Sequence, residues 1–385
     1  MNQIQKIYLS NFLTGIVFWY GIEKLFMQSI GITPVGIGIA SASLTIFLVV
    51  FNIPAGILAD RWSRKGMLLV SAVVLAISSF ILGSSDSLSV YILGFLFYGI
   101  YLVSTDGTYQ AITYDSLHER GKSQEYSRIQ GRAFGLFLVG AGIGNTAGGF
   151  LAGHLGYRAV FYISIVSCFL NFLTILTIKE PKFHKEQSSA NIADQLGEAS
   201  KVIIKMRVLR TLTIILSLLA ITELFKLEFG QLYMLRYFNT PQIIGLLWAI
   251  YAFAMAFGSF ISHRLHNKLH TLIVLTLVPF MIMSFVDSWI SIVLFMIQAI
   301  AASALIIQIE TQIQNATKSS VRASVLSVVM TAGRVMAIPA SFILGWLFRD
   351  YNALVAVRFV GAVCVLILLL WLYASRETLQ TQTDT

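Results

Sequence analysis

Long apolar runs recur along the whole chain, and each is close to the length that crosses a lipid bilayer. Of the 385 residues, 57% are hydrophobic and only 12% are charged, whereas about a quarter of the residues in a soluble globular domain are charged. Roughly 20 apolar residues in a helix span a hydrocarbon core of about 30 Å. The pattern therefore predicts an all-α membrane protein with little length left for a separate soluble domain.

The apolar runs form two groups of six, separated by one long polar stretch. The first group covers about 7–28, 36–58, 67–84, 88–112, 130–153 and 158–178. The second group covers about 209–235, 242–262, 269–287, 289–312, 323–347 and 354–374. We predict twelve transmembrane helices in two pseudo-symmetric six-helix bundles: residues 1–178 form the N-terminal bundle, 179–208 a cytoplasmic linker, and 209–385 the C-terminal bundle with a short cytoplasmic tail.

Lysine and arginine orient these helices. If the N-terminus is cytoplasmic, most loop lysines and arginines fall on the inner side, and the outer loops hold only Arg158, Arg236, Arg349 and Arg358. This asymmetry satisfies the positive-inside rule and predicts a multi-pass protein of a cell membrane with both termini in the cytoplasm. The net charge of +9 then follows from topology, and we expect no nucleic-acid partner.

The linker carries helical periodicity in its second part. Apolar residues recur at helical intervals from Ile192 to Met206, and Lys201, Lys205 and Arg207 lie between them. Such a helix could lie in the membrane interface or form a solvated connection, and both interpretations stay open.

Weak internal repetition relates the two halves, as expected of a transporter built from duplicated bundles. Corresponding prolines open the second helix of each half, glycines close it, and glutamates lie deep in each first helix. The pairs are Pro34 and Pro241, Gly56 and Gly258, and Glu23 and Glu223.

The loop after the second helix carries the most specific motif. It reads Gly56, Ile57, Leu58, Ala59, Asp60, Arg61, Trp62, Ser63, Arg64, Lys65. This resembles the G-x-L-A-D-R-x-G-R-K loop of the major facilitator superfamily, with Ser63 where a glycine is usual. The resemblance implies the fold of that superfamily and a cytoplasmic gate in which Asp60 meets the eleventh helix near Arg322 and Arg64 meets Asp115. We expect Gly56, Arg61, Lys65 and Glu310 to belong to the same gate.

The fifth helix carries small residues at regular spacing, which lets helix backbones pack closely in lipid. It resembles the antiporter motif of the drug:proton branch of the superfamily, with Asn145 in place of the proline. A generic glycine-rich packing helix is the alternative interpretation. The motif consists of Gly131, Gly140, Gly144, Asn145, Gly148 and Gly149.

Ionisable residues inside the apolar runs are the sharpest functional candidates, because a charge at the bilayer centre costs about 2.5–3.5 kcal/mol on insertion scales. Glu23, Asp106 and Glu223 are the predicted proton-coupling residues. For Glu223, proton coupling, substrate contact and a static ion pair with Lys226 all stay open. Glu23 and Lys24 diverge by about 100° on a regular helix, so a static pair between them is less natural.

Other polar and aromatic residues fall on helices that, by resemblance, line the transport cavity. The predicted cavity residues are Trp19, Tyr20, Lys24, Tyr109, Gln110, Lys226, Gln231, Trp248 and Arg334. Cys168, Cys364 and the six histidines are scattered, so we expect no disulfide, metal site or cofactor.

Together these features predict a monomeric secondary transporter that works by alternating access, with a small-molecule substrate, protons and the lipid bilayer as its partners. Proton coupling is favoured because buried carboxylates are present and the chain has no G-x-x-x-x-G-K-[ST] loop for ATP. Export of an amphipathic small molecule or drug is the first candidate. Proton-coupled uptake or exchange of a polar metabolite, with Lys24, Lys226 and Arg334 as anion contacts, is the second. A transporter-like receptor or membrane enzyme is the candidate from another class.

Overall fold

A computed structural model describes residues 1–181, 192–265, 268–317 and 322–383 of the chain, without the side chains of residues 57, 60, 61, 127, 192–195, 322, 323 and 375–383. The described residues form sixteen α-helices and no strand. The helices are α1 Gln3–Gly15, α2 Glu23–Ser29, α3 Pro34–Arg61, α4 Arg64–Gly83, α5 Leu88–Thr105, α6 Thr108–His118, α7 Tyr126–Leu155, α8 Tyr157–Leu176, α9 Ile192–Lys205, α10 Arg207–Leu224, α11 Gly230–Met234, α12 Pro241–Ile261, α13 Leu269–Met283, α14 Ser291–Ala316, α15 Arg322–Asp350 and α16 Ala353–Thr383.

The predicted class of all-α membrane protein is confirmed. Within the described residues, ten continuous or joined helices are long and apolar enough to cross a membrane, and Leu269–Met283 is a shorter apolar helix. With the first apolar run, which is divided between α1 and α2, these segments correspond to the twelve expected from the sequence.

The helices cluster into two compact units. We call Met1–Ser188 with Phe238–Phe253 the N-terminal unit, and Ser189–Tyr237 with Ala254–Thr385 the C-terminal unit. In the N-terminal unit, α4 packs on α5 and α8, and α1 packs on α7. In the C-terminal unit, α13 packs on α14 and α16, and α10 packs on α15. The division into 1–178, 179–208 and 209–385 stays a prediction.

The first apolar run is not the continuous helix that we predicted over residues 7–28. It is interrupted between Gly15 and Glu23, where backbone groups lose their helical partners. The Oγ of Ser164 accepts from the Phe18 N–H at 3.1 Å, and the Ser167 hydroxyl donates to the Ile16 carbonyl at 2.6 Å. Irregular backbone at membrane depth needs such protein partners, because lipid offers none. The two serines of α8 therefore stabilise the interruption.

Two further segments depart from the expected regular helices. The fourth apolar run breaks at Asp106, which has extended backbone, and at Gly107, whose φ of 73° is a conformation that favours glycine. The seventh run passes through a π-helical turn at Phe225–Phe229. Turns of this kind occur frequently at functional sites. Asp106 and Asp115 therefore do not lie on one continuous helix.

The linker helix is present as α9. Its Ala199 and Ile203 are buried, and the helix packs on α10 and α15. Its apolar face is thus partly covered by protein, which fits neither a fully solvated helix nor one held by lipid alone.

Candidate functional site

Each unit contains a carboxylate–lysine pair with a buried lysine at an irregularity of its first membrane helix. In the N-terminal unit, Lys24 Nζ lies 3.0 Å from Glu23 Oε1. Tyr91 of α5 donates to the same carboxylate oxygen at 2.8 Å. Both residues lie in the first turn of α2, and the long lysine side chain reaches the carboxylate although adjacent helix positions diverge by about 100°. Our prediction that a static pair between them is less natural is therefore wrong.

The second pair lies in the C-terminal unit, at the π-helical turn. Lys226 Nζ lies 2.7 Å from Glu223 Oε1. The lysine side chain is only 1% exposed, whereas that of Glu223 is 22% exposed. Glu223 therefore contacts a buried positive charge and is itself partly exposed.

Asp106 and Arg334 are the other charged candidates. Asp106 is exposed at the end of α5 in the N-terminal unit, and Arg334 is half-buried on α15 in the C-terminal unit. Their predicted roles in proton coupling and substrate contact stay predictions.

Several predicted cavity residues are packed inside the protein. Trp19 is fully buried, stacks on Phe161 at 5.3 Å and donates to Ser79 at 3.0 Å. Trp248 is buried and stacks on Tyr251 at 4.9 Å. These contacts favour a packing role for both tryptophans in this conformation.

The remaining predicted cavity residues have mixed surroundings. Tyr20 is half-buried near Tyr98, Gln110 is exposed, and Gln231 is buried in α11. Their assignment to a substrate cavity stays a prediction.

Tyr109 belongs to a closed polar network that we did not predict. Its hydroxyl lies 2.8 Å from the Ser10 hydroxyl and 3.0 Å from that of Thr14. Asn171 of α8 accepts from Ser10 at 2.7 Å and donates to Thr14 at 2.9 Å. All four side chains are buried. Small hydroxyl residues in apolar runs carry no distinctive spacing, so the network is visible only once α1, α6 and α8 are packed together.

The predicted gate loop contains the ion pair that the resemblance implied. Arg64 Nη1 contacts Asp115 Oδ2, and their side chains are 14% and 8% exposed. Ser63, which replaces the usual glycine, is the N-cap of α4 because its hydroxyl accepts from the Gly66 N–H at 2.8 Å. The substitution therefore adds a helix cap.

Glu180 is a further member of this cluster that we did not predict. Its carboxylate accepts from the backbone N–H groups of Arg64 and Lys65 at 2.9 and 2.8 Å, and from the Ser63 hydroxyl at 2.8 Å. A carboxylate at a helix N-terminus satisfies unpaired donors and complements the helix dipole. Glu180 thus fastens the start of the linker to the start of α4.

We expect Glu180→Ala to lower the free energy of unfolding by about 1–2 kcal/mol, because two backbone donors lose a charged acceptor. Thermal unfolding in detergent should report the loss. Glu119→Ala is the matched control, since this exposed residue lies outside the α4 cap and should change stability by less than about 0.5 kcal/mol. Equal effects of the two substitutions would contradict the capping role.

The other predicted gate residues are less connected. Lys65 Nζ donates to the Leu176 carbonyl at 2.7 Å, and Glu310 is half-buried with no ion pair to any described side chain. No described atom lies within 4 Å of a methyl group added at Gly56, and its place in the gate stays a prediction. The side chains of Asp60, Arg61 and Arg322 lie outside the described residues.

The glycine motif of α7 packs against the interrupted first helix. A methyl group added at Gly148 would collide with the carbonyl oxygen of Phe18, and one at Gly144 would lie 2.9 Å from the Val17 carbonyl oxygen. Gly140 and Gly149 have equally close backbone neighbours, and Asn145 is buried beside Gly21. Gly131 differs, because no described atom lies within 4 Å of its added methyl group.

This contrast predicts opposite effects of one substitution at two positions of the motif. Gly148→Ala should destabilise the protein by about 1–3 kcal/mol, because the backbone of the first helix must move. Gly131→Ala should be neutral or stabilise by up to about 1 kcal/mol, since alanine favours a helix interior. Thermal unfolding of both variants checks this, and equal destabilisation would show that the close contact at Gly148 is unimportant.

Comparison with known proteins places this arrangement in a family. The sequence matches the family model of the Major Facilitator Superfamily over residues 7–271. An uncharacterized MFS-type transporter of Methanocaldococcus jannaschii is 26% identical over 185 residues, which cover 46% of this chain and 45% of that protein. An uncharacterized transporter of Buchnera aphidicola is 28% identical over 160 residues, which cover 41% of this chain and 38% of that protein. The matched part therefore spans less than half the length of either relative.

Solved structures share the fold over nearly the whole chain. They include the nucleoside transporter NupG, with a TM-score of 0.79, 17% identity and coverage of 96% of this chain and 99% of that chain. A bacterial homolog of the human lysosomal transporter Spinster has a TM-score of 0.76, 16% identity and coverage of 97% and 96%. A D-xylose-proton symporter has a TM-score of 0.70, 13% identity and coverage of 96% and 98%. Because the family model matches more than half of the residues, this chain belongs to the Major Facilitator Superfamily and is a multi-pass membrane protein.

Proposed function

We propose that the chain is a proton-coupled secondary transporter that exports an amphipathic small molecule by alternating access, with both termini in the cytoplasm. The observation that carries the proposal is the Glu223–Lys226 pair at the π-helical turn. A carboxylate beside a buried lysine favours its ionised form, whereas loss of that contact in low dielectric favours protonation. A change in the contact between them would therefore drive proton uptake and release.

The other pair supports a division of roles between the units. Glu23 receives both the Lys24 ammonium and the Tyr91 hydroxyl and is more buried than Glu223. Because Glu23 has two donors and is the more buried carboxylate, we assign it a structural role and assign the proton to Glu223. The resemblance of the α7 motif to the drug:proton branch supports export.

Proton-coupled uptake or exchange of a polar metabolite is the second candidate. It is favoured by the exposed Asp106 and Gln110 in the fourth membrane span, because polar groups at membrane depth usually face a water-filled cavity. The fold is compatible with this direction, since the similar structures include a D-xylose-proton symporter.

Flux in proteoliposomes tests the proposal. Purified protein is reconstituted, a pH gradient is imposed, and dyes, drugs, nucleosides, sugars and amino acids are screened for movement. Export predicts that an amphipathic compound moves against the inward flow of protons, whereas uptake predicts movement of a polar solute with the protons. Absence of gradient-driven flux across the whole panel would contradict proton-coupled transport of these compounds.

A further inference from the structure

Gln298 of α14 has a fully buried amide side chain. It has no role in the proton coupling proposed for Glu223. Both its side-chain oxygen and its nitrogen lack a hydrogen-bond partner. Buried polar groups in native proteins are nearly always hydrogen-bonded, because an unsatisfied group loses its water without compensation. A side chain that can donate and accept is thus held in the C-terminal unit without a partner in this conformation.

The helix register places Gln298 at the level of the Glu223–Lys226 pair. Tyr233 donates to the Ser291 hydroxyl at 2.6 Å, which aligns the end of α11 with the start of α14. The seventh and tenth apolar runs cross the membrane in opposite directions. Gln298 lies seven residues after Ser291 in α14, and Lys226 lies seven residues before Tyr233. Each separation is about 10 Å along its helix axis.

We propose that Gln298 is a positioning residue whose carbonyl oxygen is a second acceptor for the Lys226 ammonium. Lys226 then exchanges between two partners. When it contacts Glu223, the carboxylate stays ionised; when it donates to Gln298 Oε1, Glu223 takes up a proton. The lysine keeps its charge throughout, and one proton is gained or lost at Glu223. This inference rests on the proposed proton coupling at Glu223.

Other ionisable groups near the pair are few among the described residues. Glu228 lies on the same π-helical turn, and Cys364 of α16 interacts electrostatically with Lys226. On α15, Arg334 follows Gly333, which packs on Ala220 of α10. Glu310 lies twelve residues further along α14, about 18 Å from Gln298, and the outer-end Arg358 of α16 donates to the Ser284 carbonyl.

Carbodiimide labelling tests the inference without a known substrate. Dicyclohexylcarbodiimide modifies protonated carboxyls in apolar surroundings, and fragmentation mass spectrometry separates Glu223 from Glu228. Full-length protein in detergent is labelled across a pH series. Gln298→Leu removes the second acceptor, so Lys226 stays on Glu223 and labelling should fall about tenfold near its midpoint pH. Gln298→Glu draws Lys226 away, so labelling of Glu223 should extend to higher pH.

A positioning role predicts that Gln298→Leu and Gln298→Glu shift the labelling of Glu223 in opposite directions, whereas a packing role does not. Gln308→Leu is the control, because it replaces another buried glutamine of α14, which donates to the Ser262 carbonyl at 2.6 Å, and should leave Glu223 labelling unchanged. Labelling that matches wild type in both Gln298 variants, or shifts in the same direction in both, would overturn this inference alone. Labelling of wild-type Glu223 that does not vary with pH would overturn the proposed proton coupling and this inference with it.

Discussion

Glu223→Gln is expected to abolish proton-driven accumulation while leaving the protein folded. A glutamine keeps the size of the side chain but carries no titratable proton. Moving one charge across 100 mV supplies about 2.3 kcal/mol, so loss of coupling to one proton lowers the accumulation ratio about fiftyfold at that potential. Transport of a compound identified in the proteoliposome screen gives the measurement, with the imposed potential and pH gradient held constant.

The chain offers a close control for this experiment. Glu228 lies on the π-helical turn that follows α10, five residues beyond Glu223, and Glu228→Gln should retain most of the accumulation. Exchange of labelled for unlabelled substrate without a gradient should persist in Glu223→Gln, because exchange needs no net proton movement. Wild-type accumulation by Glu223→Gln would contradict the assignment of the proton to this residue.

Asp115→Asn is expected to destabilise the protein by about 3–5 kcal/mol, the range for breaking a buried ion pair. The Arg64 guanidinium, only 14% exposed, would lose the negative charge that it contacts. Cys168 and Cys364 are free and buried, so a thiol-reactive fluorophore reports unfolding during heating. We expect the thermal midpoint to fall by several degrees.

A double-mutant cycle isolates the pair from other effects of the substitution. Arg64→Gln with Asp115→Asn should be far less destabilising than the two single changes added together. Asp86→Asn is the matched control, because Asp86 contacts Arg158 with a side chain that is 81% exposed. Exposed pairs contribute about 0–1 kcal/mol. An effect of Asp115→Asn as small as that of Asp86→Asn would show that the pair does not stabilise the gate.

The class of the protein and the positions of its ionisable candidates were predictable from the sequence. Twelve apolar runs and a loop such as Gly56 to Lys65 are local patterns, and hydrocarbon permits few structures that satisfy their backbone groups. The contact between Arg64 and Asp115 followed from the resemblance of that loop. Glu223 and Lys226 were recognisable because charges are rare in apolar runs and residues three apart share a helix face.

Other parts of the site depended on contacts between helices. Glu180 lies more than a hundred residues from the α4 backbone that it caps, so no local spacing indicates the bond. The Ser10, Thr14, Tyr109 and Asn171 network joins three helices through residues that are common in membrane spans. Gln298 carried no distinctive pattern, because its lack of partners is a property of its packed surroundings.

The sequence alone thus determined that the chain spans a membrane in two sets of helices, because the length and polarity of each run decide its preference for lipid. Only the tertiary structure decided where those helices are interrupted. The gap before Glu23 exists because Ser164 and Ser167 supply hydrogen bonds to its backbone. The free energy of a backbone N–H or C=O group in hydrocarbon depends on whether a residue of another helix forms a hydrogen bond with it. The order of residues along the chain does not indicate which helices pack together.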